Sequence, residues 1–183
     1  MHRAIFLDRD GVIIENRPNY VRSWSDVEFY PQALEALRKI QPDVKIVIVT
    51  NQSAIGRGLI TLQAAQKINQ RIVRTIRRNG GRVDGLYMCP HSPEQECTCR
   101  KPKPGLILQA ARELNLDLPN SLMIGDALSD LLAGKNAGIQ KTILLRTGRG
   151  DQQAALPEIQ RMKDILIYDT LLDALSDQPD VLT

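Results

Sequence analysis

Three short stretches of the chain combine carboxylate, hydroxyl and amide side chains directly after apolar runs. They are Asp8 to Gly11, Thr50 to Ser53 and Gly125 to Asp130. Carboxylates two residues apart, joined by another from a distant part of the chain, supply the hard oxygen ligands that Mg²⁺ prefers. A carboxylate beside such a metal can also attack phosphorus without first losing a proton. Phosphoryl-transfer chemistry is therefore the leading hypothesis.

Each stretch also has a simpler explanation when it is taken alone. Asp-x-Asp-Gly after a strand is commonly a turn in which Asp side chains bind the backbone. Asp126 can cap a helix while Asp130 lies in solvent on the next turn, and Thr50 can simply end its strand. The catalytic interpretation depends on the fold bringing all three stretches together.

The elements that must position these residues follow a regular alternation of apolar runs and helical patterns. Helical periodicity occurs at 32–40, 62–79, 106–114 and 130–137, and the apolar runs are 4–7, 46–49, 86–88, 122–124, 143–145 and 165–167. Short apolar runs without polar alternation are typical of parallel strands that are covered on both faces. We therefore expect an α/β fold with a doubly wound parallel sheet. Ligands of such sheets bind beyond the carboxyl ends of the strands, where the three stretches would meet.

Composition and charge narrow the class of protein. The 183 residues are 43% hydrophobic and 25% charged, which is typical of one soluble domain over 1–183, and we expect a loose tail from about 177 to 183. A net charge of +3 is too mild to indicate a dedicated nucleic-acid binder. Only four apolar residues separate Arg3 from Asp8, too few for a signal peptide, and no apolar run spans a bilayer. We expect a cytoplasmic location and no membrane partner.

A second metal site is predicted by the cysteines. The chain has three, which form the pattern Cys-x-His-x5-Cys-x-Cys with Cys89, His91, Cys97 and Cys99. An odd number of cysteines in a reducing compartment favours a metal over disulfides. Four protein ligands fill a tetrahedral shell, so we predict a structural Zn²⁺ that braces the loop 89–99.

Together these motifs resemble the haloacid dehalogenase (HAD) superfamily of phosphatases. That family shows, in order, a strand with Asp-x-Asp-Gly, a strand with Thr or Ser, a Lys, and Gly-Asp-x-x-x-Asp, and here the match runs from about residue 5 to 145. The resemblance implies a Rossmann-like core in which Asp8 is the nucleophile that forms an aspartyl-phosphate and Asp10 is the general acid and base. Thr50 and Lys101 would hold the phosphoryl oxygens. Lys101 is preferred to Lys103 because it lies in an Arg-Lys-Pro segment that matches the motif.

The same resemblance implies the catalytic metal. Mg²⁺ would be bound by Asp8, by the backbone carbonyl of Asp10 and by Asp126. Asp130 would act from outside the metal's coordination sphere.

The zinc loop, which runs directly into Arg100-Lys101-Pro102, resembles a narrower subfamily of heptose 1,7-bisphosphate and histidinol-phosphate phosphatases. This implies a small phosphorylated metabolite, foremost a heptose bisphosphate that loses its C7 phosphate, and a monomer without a cap domain. Some members carry a Lys where this chain has Ala127; Arg57 or Arg149 could replace that contact. The implied substrate contacts are Tyr20, Asn51, Gln52, Ser53, Arg57 and Arg100.

Three alternatives stay open. Histidinol phosphate is a second substrate that the motifs do not exclude. A polynucleotide 3′-phosphatase or nucleic-acid module is suggested by arginines at 71, 74, 77, 78 and 82, although the absence of interleaved aromatic residues favours a solvated basic face. A phosphate-binding protein without activity is disfavoured because all the catalytic side chains are present.

Overall fold

The computed structural model describes residues 1–178 and 180–182. Within them the chain forms six strands and eight α-helices that alternate for most of its length. The strands are β1 Ala4–Leu7, β2 Lys45–Asn51, β3 Gly85–Cys89, β4 Leu122–Gly125, β5 Lys141–Leu145 and β6 Ile165–Tyr168. The helices are α1 Pro31–Lys39, α2 Ser53–Gly56, α3 Leu62–Arg78, α4 Gly105–Leu114, α5 Leu128–Ala137, α6 Gly150–Ala154, α7 Pro157–Gln160 and α8 Leu171–Ser176.

All strand pairs are parallel, and the sheet order is β3-β2-β1-β4-β5-β6. The chain builds outward from β1 in one direction and then returns to add β4, β5 and β6 on its other side. The order therefore reverses between β1 and β4, where a crevice opens beyond the carboxyl ends of the strands. Asp8 follows β1 and Asp126 follows β4, so both stand at this reversal.

The core lies on both faces of the sheet because successive strand residues point to opposite sides. Ile5 and Leu7 of β1 pack with apolar residues of α1, α3 and α8, whereas Ala4 and Phe6 pack with those of α4 and α5. Burying each such large side chain contributes about 1.5–3 kcal/mol. The double covering confirms the predicted doubly wound α/β class.

The helix boundaries follow the local signals in the sequence. Pro31 occupies the first turn of α1, and the Thr61 hydroxyl accepts a hydrogen bond from the Ala64 amide at the start of α3. Gly138 ends α5 in the left-handed region with φ of 93°. One boundary differs from expectation, because β2 runs on through Thr50 and Asn51. Its partner β3 extends to Cys89, which pairs with Asn51, so the first predicted zinc ligand lies on a strand.

The described part of the C-terminal tail differs from the loose segment that we predicted. Val181 is buried, its carbonyl accepts a hydrogen bond from the Gln41 amide, and Leu182 forms an antiparallel bridge with Ile40. The tail packs because its two apolar residues cover the apolar end of α1. The prediction for residues 179 and 183 lies outside the described residues.

The connections at the catalytic edge contain little regular structure. The segment from β1 to α1 contains a single 3-10 turn at Trp24–Asp26, and β2 is followed by the four-residue α2. Within the described chain, neither connection is large enough to form a separate cap over the crevice. Among these residues, no helix has both the length and the apolar character needed to cross a membrane.

Candidate active site

Lys101 joins two carboxylates at the reversal point of the sheet. Its ammonium lies 3.0 Å from Asp8 Oδ1 and 2.5 Å from Asp130 Oδ1, and it donates to the Val49 carbonyl at 2.8 Å. Burial lowers the pKa of Lys101, but Asp130 and Asp8 raise it more, so the net shift is upward and the side chain stays charged. Lys103, the alternative lysine, is exposed and donates to the carbonyls of Glu96 and Cys97.

Three buried carboxylates cluster at the candidate Mg²⁺ site, where Asp8 and Asp126 are the predicted ligands and Asp130 pairs with Lys101. Oxygen atoms of Asp8, Asp126 and Asp130 all lie within 4.8 Å of one another. Burial raises the pKa of each carboxyl, and it raises that of Asp8 to about 6 even though the Lys101 charge opposes the shift. A divalent cation would stabilise the ionised forms of all three groups. The donor set therefore fits the oxygen-only coordination of Mg²⁺.

Two glycines leave space for the Asp126 carboxylate, and an arginine binds it. Gly11 and Gly148 both have positive φ, and a Cβ atom at either position would collide with the Asp126 side chain. Arg149 donates its backbone N–H to Asp126 Oδ2 at 2.9 Å, and its Nη2 lies 3.2 Å from Oδ1. The sequence suggested Arg149 only as a replacement for a missing lysine, whereas here it contacts a predicted metal ligand.

Asp10 lies beside this cluster and is held by two neighbours. Arg9 Nε and Nη2 each lie 3.0 Å from one of its carboxylate oxygens. Gln52 Nε2 donates to Asp10 Oδ2 at 2.9 Å and also contacts the Thr50 hydroxyl at 2.9 Å. This arrangement brings Thr50, Gln52 and Asp10 together, as the motifs predicted.

A cavity of about 260 Å³ opens above these groups. It is lined by Asp8, Asp10, Lys101, Asp130 and all six predicted substrate contacts. Five cationic side chains face three carboxylates around this space, so its lining favours an anionic ligand. The predicted contacts in this lining are Tyr20, Asn51, Gln52, Ser53, Arg57 and Arg100.

The residues next to Lys101 connect the cavity to the zinc loop. Asn51 Nδ2 donates to the Lys101 carbonyl and Asn51 Oδ1 accepts from the Lys101 amide, both at 3.1 Å. Arg100 Nη1 donates to the Ser53 hydroxyl at 2.8 Å and to the His91 carbonyl at 3.2 Å. The positions of Arg100 and Lys101 therefore depend on β2 and on the loop that carries the cysteines.

The four predicted zinc ligands converge. Sulfur atoms of Cys89 and Cys99 each lie 3.5 Å from the sulfur of Cys97, and His91 Nδ1 lies 3.5 Å from Cys89 Sγ and 3.4 Å from Cys99 Sγ. Tetrahedral Zn²⁺ with Zn–S bonds of about 2.3 Å would place its sulfur ligands about 3.8 Å apart. The observed spacing and the Cys₃His donor set fit a structural zinc.

Comparison with known proteins places this geometry in a family. A D-glycero-beta-D-manno-heptose-1,7-bisphosphate 7-phosphatase of Helicobacter pylori strain J99 is 43% identical over 146 residues, or 79% of this chain and 83% of that protein. The chain belongs to this family of phosphatases. A Vibrio cholerae relative with the same description is 38% identical and covers 98% of this chain and 95% of its own length. A HAD-hydrolase-like family model also matches residues 98–174.

A solved structure of the same family has the same fold. The D,D-heptose 1,7-bisphosphate phosphatase of B. bronchiseptica superposes with a TM-score of 0.86 and 34% identity, covering 96% of this chain and 97% of that one. That crystal structure is described as complexed with magnesium and phosphate. The HAD resemblance drawn from the four motifs is therefore confirmed.

Two residues of this family member contact the site in ways that sequence reasoning missed. Arg9 stands at the variable position of Asp-x-Asp-Gly, but its side chain is 1% exposed and contacts Asp10. Asn69 is a polar residue of α3, but it is buried and accepts from Arg9 Nη1 at 2.7 Å. An arginine directly between two catalytic aspartates was the available signal for Arg9, whereas nothing local distinguished Asn69.

Proposed function

We propose that this chain is a phosphatase that removes the C7 phosphate of D-glycero-β-D-manno-heptose 1,7-bisphosphate and leaves heptose 1-phosphate. The reaction class is carried by one observation: Asp8, Asp126, Asp130 and Lys101 cluster together, and Asp8, Asp130 and Lys101 line an anion-favouring cavity. The choice of substrate is supported by family membership over most of the chain.

In the first step Asp8 attacks phosphorus, and the bond from phosphorus to the sugar oxygen breaks. Asp10 donates its proton to the departing oxygen, so the sugar leaves as a neutral hydroxyl. In the second step water attacks the aspartyl-phosphate while Asp10 takes its proton. Inorganic phosphate leaves, and the Asp8 carboxylate is restored.

Lys101 and Thr50 hold the phosphoryl oxygens in this proposal. Lys101 brings a charge that its two carboxylate partners keep protonated, and the buried Thr50 hydroxyl lies 2.9 Å from Gln52 Nε2. Fixed donors of this kind stabilise the charge that develops on the transferred group. Asp130 holds the Lys101 ammonium in place.

Mg²⁺ would be bound by Asp8, Asp126 and the backbone carbonyl of Asp10. When bound, it neutralises the repulsion between the phosphate and the attacking carboxylate.

Zn²⁺ would be bound by Cys89, His91, Cys97 and Cys99 and would hold the loop that leads into Arg100 and Lys101. A monomeric state and a cytoplasmic location remain our predictions.

The cationic lining supports a substrate with two phosphates. Arg100 lies across the cavity wall on the Ser53 hydroxyl, and Arg57 pairs with Glu94 at 3.1 Å near the entrance. One phosphate bound at Asp8 leaves these arginines available for a second anionic group. We assign Tyr20 and Ser53 to the same entrance.

The arginines at 71, 74, 77, 78 and 82, on α3 and just after it, are a weak candidate for nucleic-acid binding. Arg71 stacks at 4.0 Å from the ring centre of Trp24, and Arg82 donates to the backbone carbonyls of Ile40, Gln41 and Val44. These two side chains are engaged within the fold. A small metabolite is therefore the better substrate class.

Phosphate release from a defined panel tests the proposal. The panel contains both anomers of heptose 1,7-bisphosphate, histidinol phosphate, fructose bisphosphate and a 3′-phosphorylated oligonucleotide, each with and without Mg²⁺. We expect the highest kcat/KM for the β anomer of heptose 1,7-bisphosphate and phosphate release that depends on Mg²⁺. A higher kcat/KM for histidinol phosphate or the oligonucleotide would contradict the substrate assignment.

A further inference from the structure

Arg9 is a cation that is closed off from solvent. Its side chain is 1% exposed, so its charge must be balanced inside the protein. Nε and Nη2 form a fork on the Asp10 carboxylate, with both distances at 3.0 Å. Nη2 also donates to Gln52 Oε1 at 3.0 Å, and Nη1 donates to Asn69 Oδ1 at 2.7 Å. The guanidinium is therefore held on one edge by Asp10 and on the others by two amides.

Asn69 anchors this network to α3. Its neighbours along the helix, Ile68 and Ile72, belong to the core, and its own side chain is buried. Its Nδ2 faces Met88 Sδ at 3.4 Å, a weak partner, while its Oδ1 receives the short bond from Arg9. A buried amide in a core helix is unfavourable unless it is hydrogen-bonded, so the position of Asn69 fixes the position of Arg9.

The planar guanidinium of Arg9 couples the position of Asn69 to that of Asp10. Its fork matches the Asp10 carboxylate best in one plane, and the Asn69 and Gln52 oxygens accept from N–H groups of the same rigid guanidinium. Without the Asn69 oxygen, Nη1 would be a buried donor with no acceptor at that place. Arg9 would then shift to satisfy it, and the Asp10 carboxylate would move with the fork.

We infer that Asn69 is a positioning residue for Asp10 and acts through Arg9. The inference rests on the proposed role of Asp10 as general acid and base. Asn69 touches neither substrate nor metal in this account, yet it sets the orientation from which Asp10 delivers its proton. A displacement of about 1 Å in such a group can cost up to about 100-fold in rate.

Two substrates with different leaving groups distinguish a loss of acid catalysis from a general loss of activity. A sugar alkoxide needs a proton as it departs, whereas the nitrophenolate of 4-nitrophenyl phosphate departs as a stable anion. The ratio kcat/KM reports the steps through the first phosphoryl transfer, so it isolates the acid role of Asp10 from its later base role. A defect in Asp10 position should therefore lower kcat/KM for the sugar phosphate and spare the nitrophenyl ester.

The experiment compares four variants on both substrates with Mg²⁺ present. Asn69→Leu removes the oxygen and keeps the volume, and Asn69→Asp retains an acceptor for Arg9. Met88→Leu is the matched control, because it alters the other partner of Asn69 and leaves the Arg9 bond intact. Asp10→Asn reports the full loss of the acid. If Asn69→Leu does not fold, Asn69→Ala removes the same oxygen and takes its place.

We expect Asn69→Leu to lower kcat/KM about 10- to 100-fold for heptose bisphosphate and less than about threefold for 4-nitrophenyl phosphate. Asn69→Asp and Met88→Leu should stay within about threefold of the parent protein on both substrates. Equal losses on the two substrates, no loss on either, or an Asn69→Asp defect as large as that of Asn69→Leu would overturn the inference.

The Asp10→Asn variant shows which assignment has failed. If Asp10→Asn lowers kcat/KM mainly for heptose bisphosphate while Asn69→Leu lowers it equally for both substrates, only the positioning role is wrong. If Asp10→Asn itself affects both substrates equally, the proposed acid role of Asp10 is wrong, and the inference about Asn69 is contradicted with it.

Discussion

The Lys101 ammonium lies 3.0 Å from the Asp8 carboxylate, and Lys101 as a whole is 3% exposed. This buried pair connects the strand end that carries the nucleophile with the segment that leaves the zinc loop. The sequence offers Lys101 and Lys103 for the same role, and this contact allows an experiment to distinguish them.

Replacing Lys101 should impair turnover, whereas replacing Lys103 should not. We expect Lys101→Met to lower kcat by about 10²- to 10³-fold, because a fixed charge on the phosphoryl oxygens is lost. Lys103→Met should stay within about twofold, since its exposed ammonium contacts only loop carbonyls and no group of the reaction. Steady-state phosphate release measures both. The reverse pattern would show that the lysines have been assigned the wrong way round.

Asp8→Asn should stabilise the metal-free protein at neutral pH. Burial raises the pKa of Asp8 from 3.8 to about 6 in the folded chain, so the folded state holds its proton to higher pH than the unfolded state does. The free energy of unfolding of the parent protein therefore falls as pH rises from about 4 through about 6. Asparagine carries no such proton, so the variant escapes this loss.

Thermal unfolding in EDTA measures this effect. We expect the Tm of Asp8→Asn to exceed that of the parent protein by a few degrees at pH 7.5 and the difference to shrink below about pH 4. Adding Mg²⁺ should raise the Tm of the parent more than that of the variant. A variant less stable than the parent at neutral pH would mean that the Lys101 attraction outweighs the burial of Asp8.

Loss of zinc should reduce activity through Arg100 and Lys101. We expect about one zinc per chain by elemental analysis. Cys99→Ser should lower the zinc content and kcat together, because Arg100 directly follows this ligand and donates to the His91 carbonyl. Excess Mg²⁺ should not restore the rate. Glu96→Gln, an exposed change in the same loop, should retain both metal and activity. A Cys99→Ser variant that has lost its zinc but keeps full kcat would show that the metal is not needed to position Arg100 and Lys101.

Much of the fold was predictable because its signals are local. The apolar run at β1 and the helical periodicity of α3 depend on neighbouring residues, and both were predicted correctly. Parallel strands put their carboxyl ends at one edge of the sheet, so Asp8 and Asp126 were expected at the same edge. The Cys and His spacing was equally informative because four ligands lie within a short loop.

The rest depended on contacts between distant parts of the chain. Arg149 reaches Asp126 across 23 positions and Asn69 reaches Arg9 across 60. A polar residue on an amphipathic helix is compatible with solvent, so the sequence did not show that Asn69 is buried. The packing of Val181 was missed for the same reason, since the sequence of a short terminal segment does not show which residues it contacts.

In the proposed mechanism the phosphoryl group passes through Asp8. A single turnover of heptose bisphosphate labelled at its C7 phosphate, quenched in acid within milliseconds, would trap this intermediate. After proteolysis, mass spectrometry should find the label on the peptide that contains Asp8, at an amount that rises and falls with the burst of sugar release. Asp8→Asn should show neither label nor burst. Full turnover with no labelled peptide, or with the label on another residue, would contradict the aspartyl-phosphate mechanism.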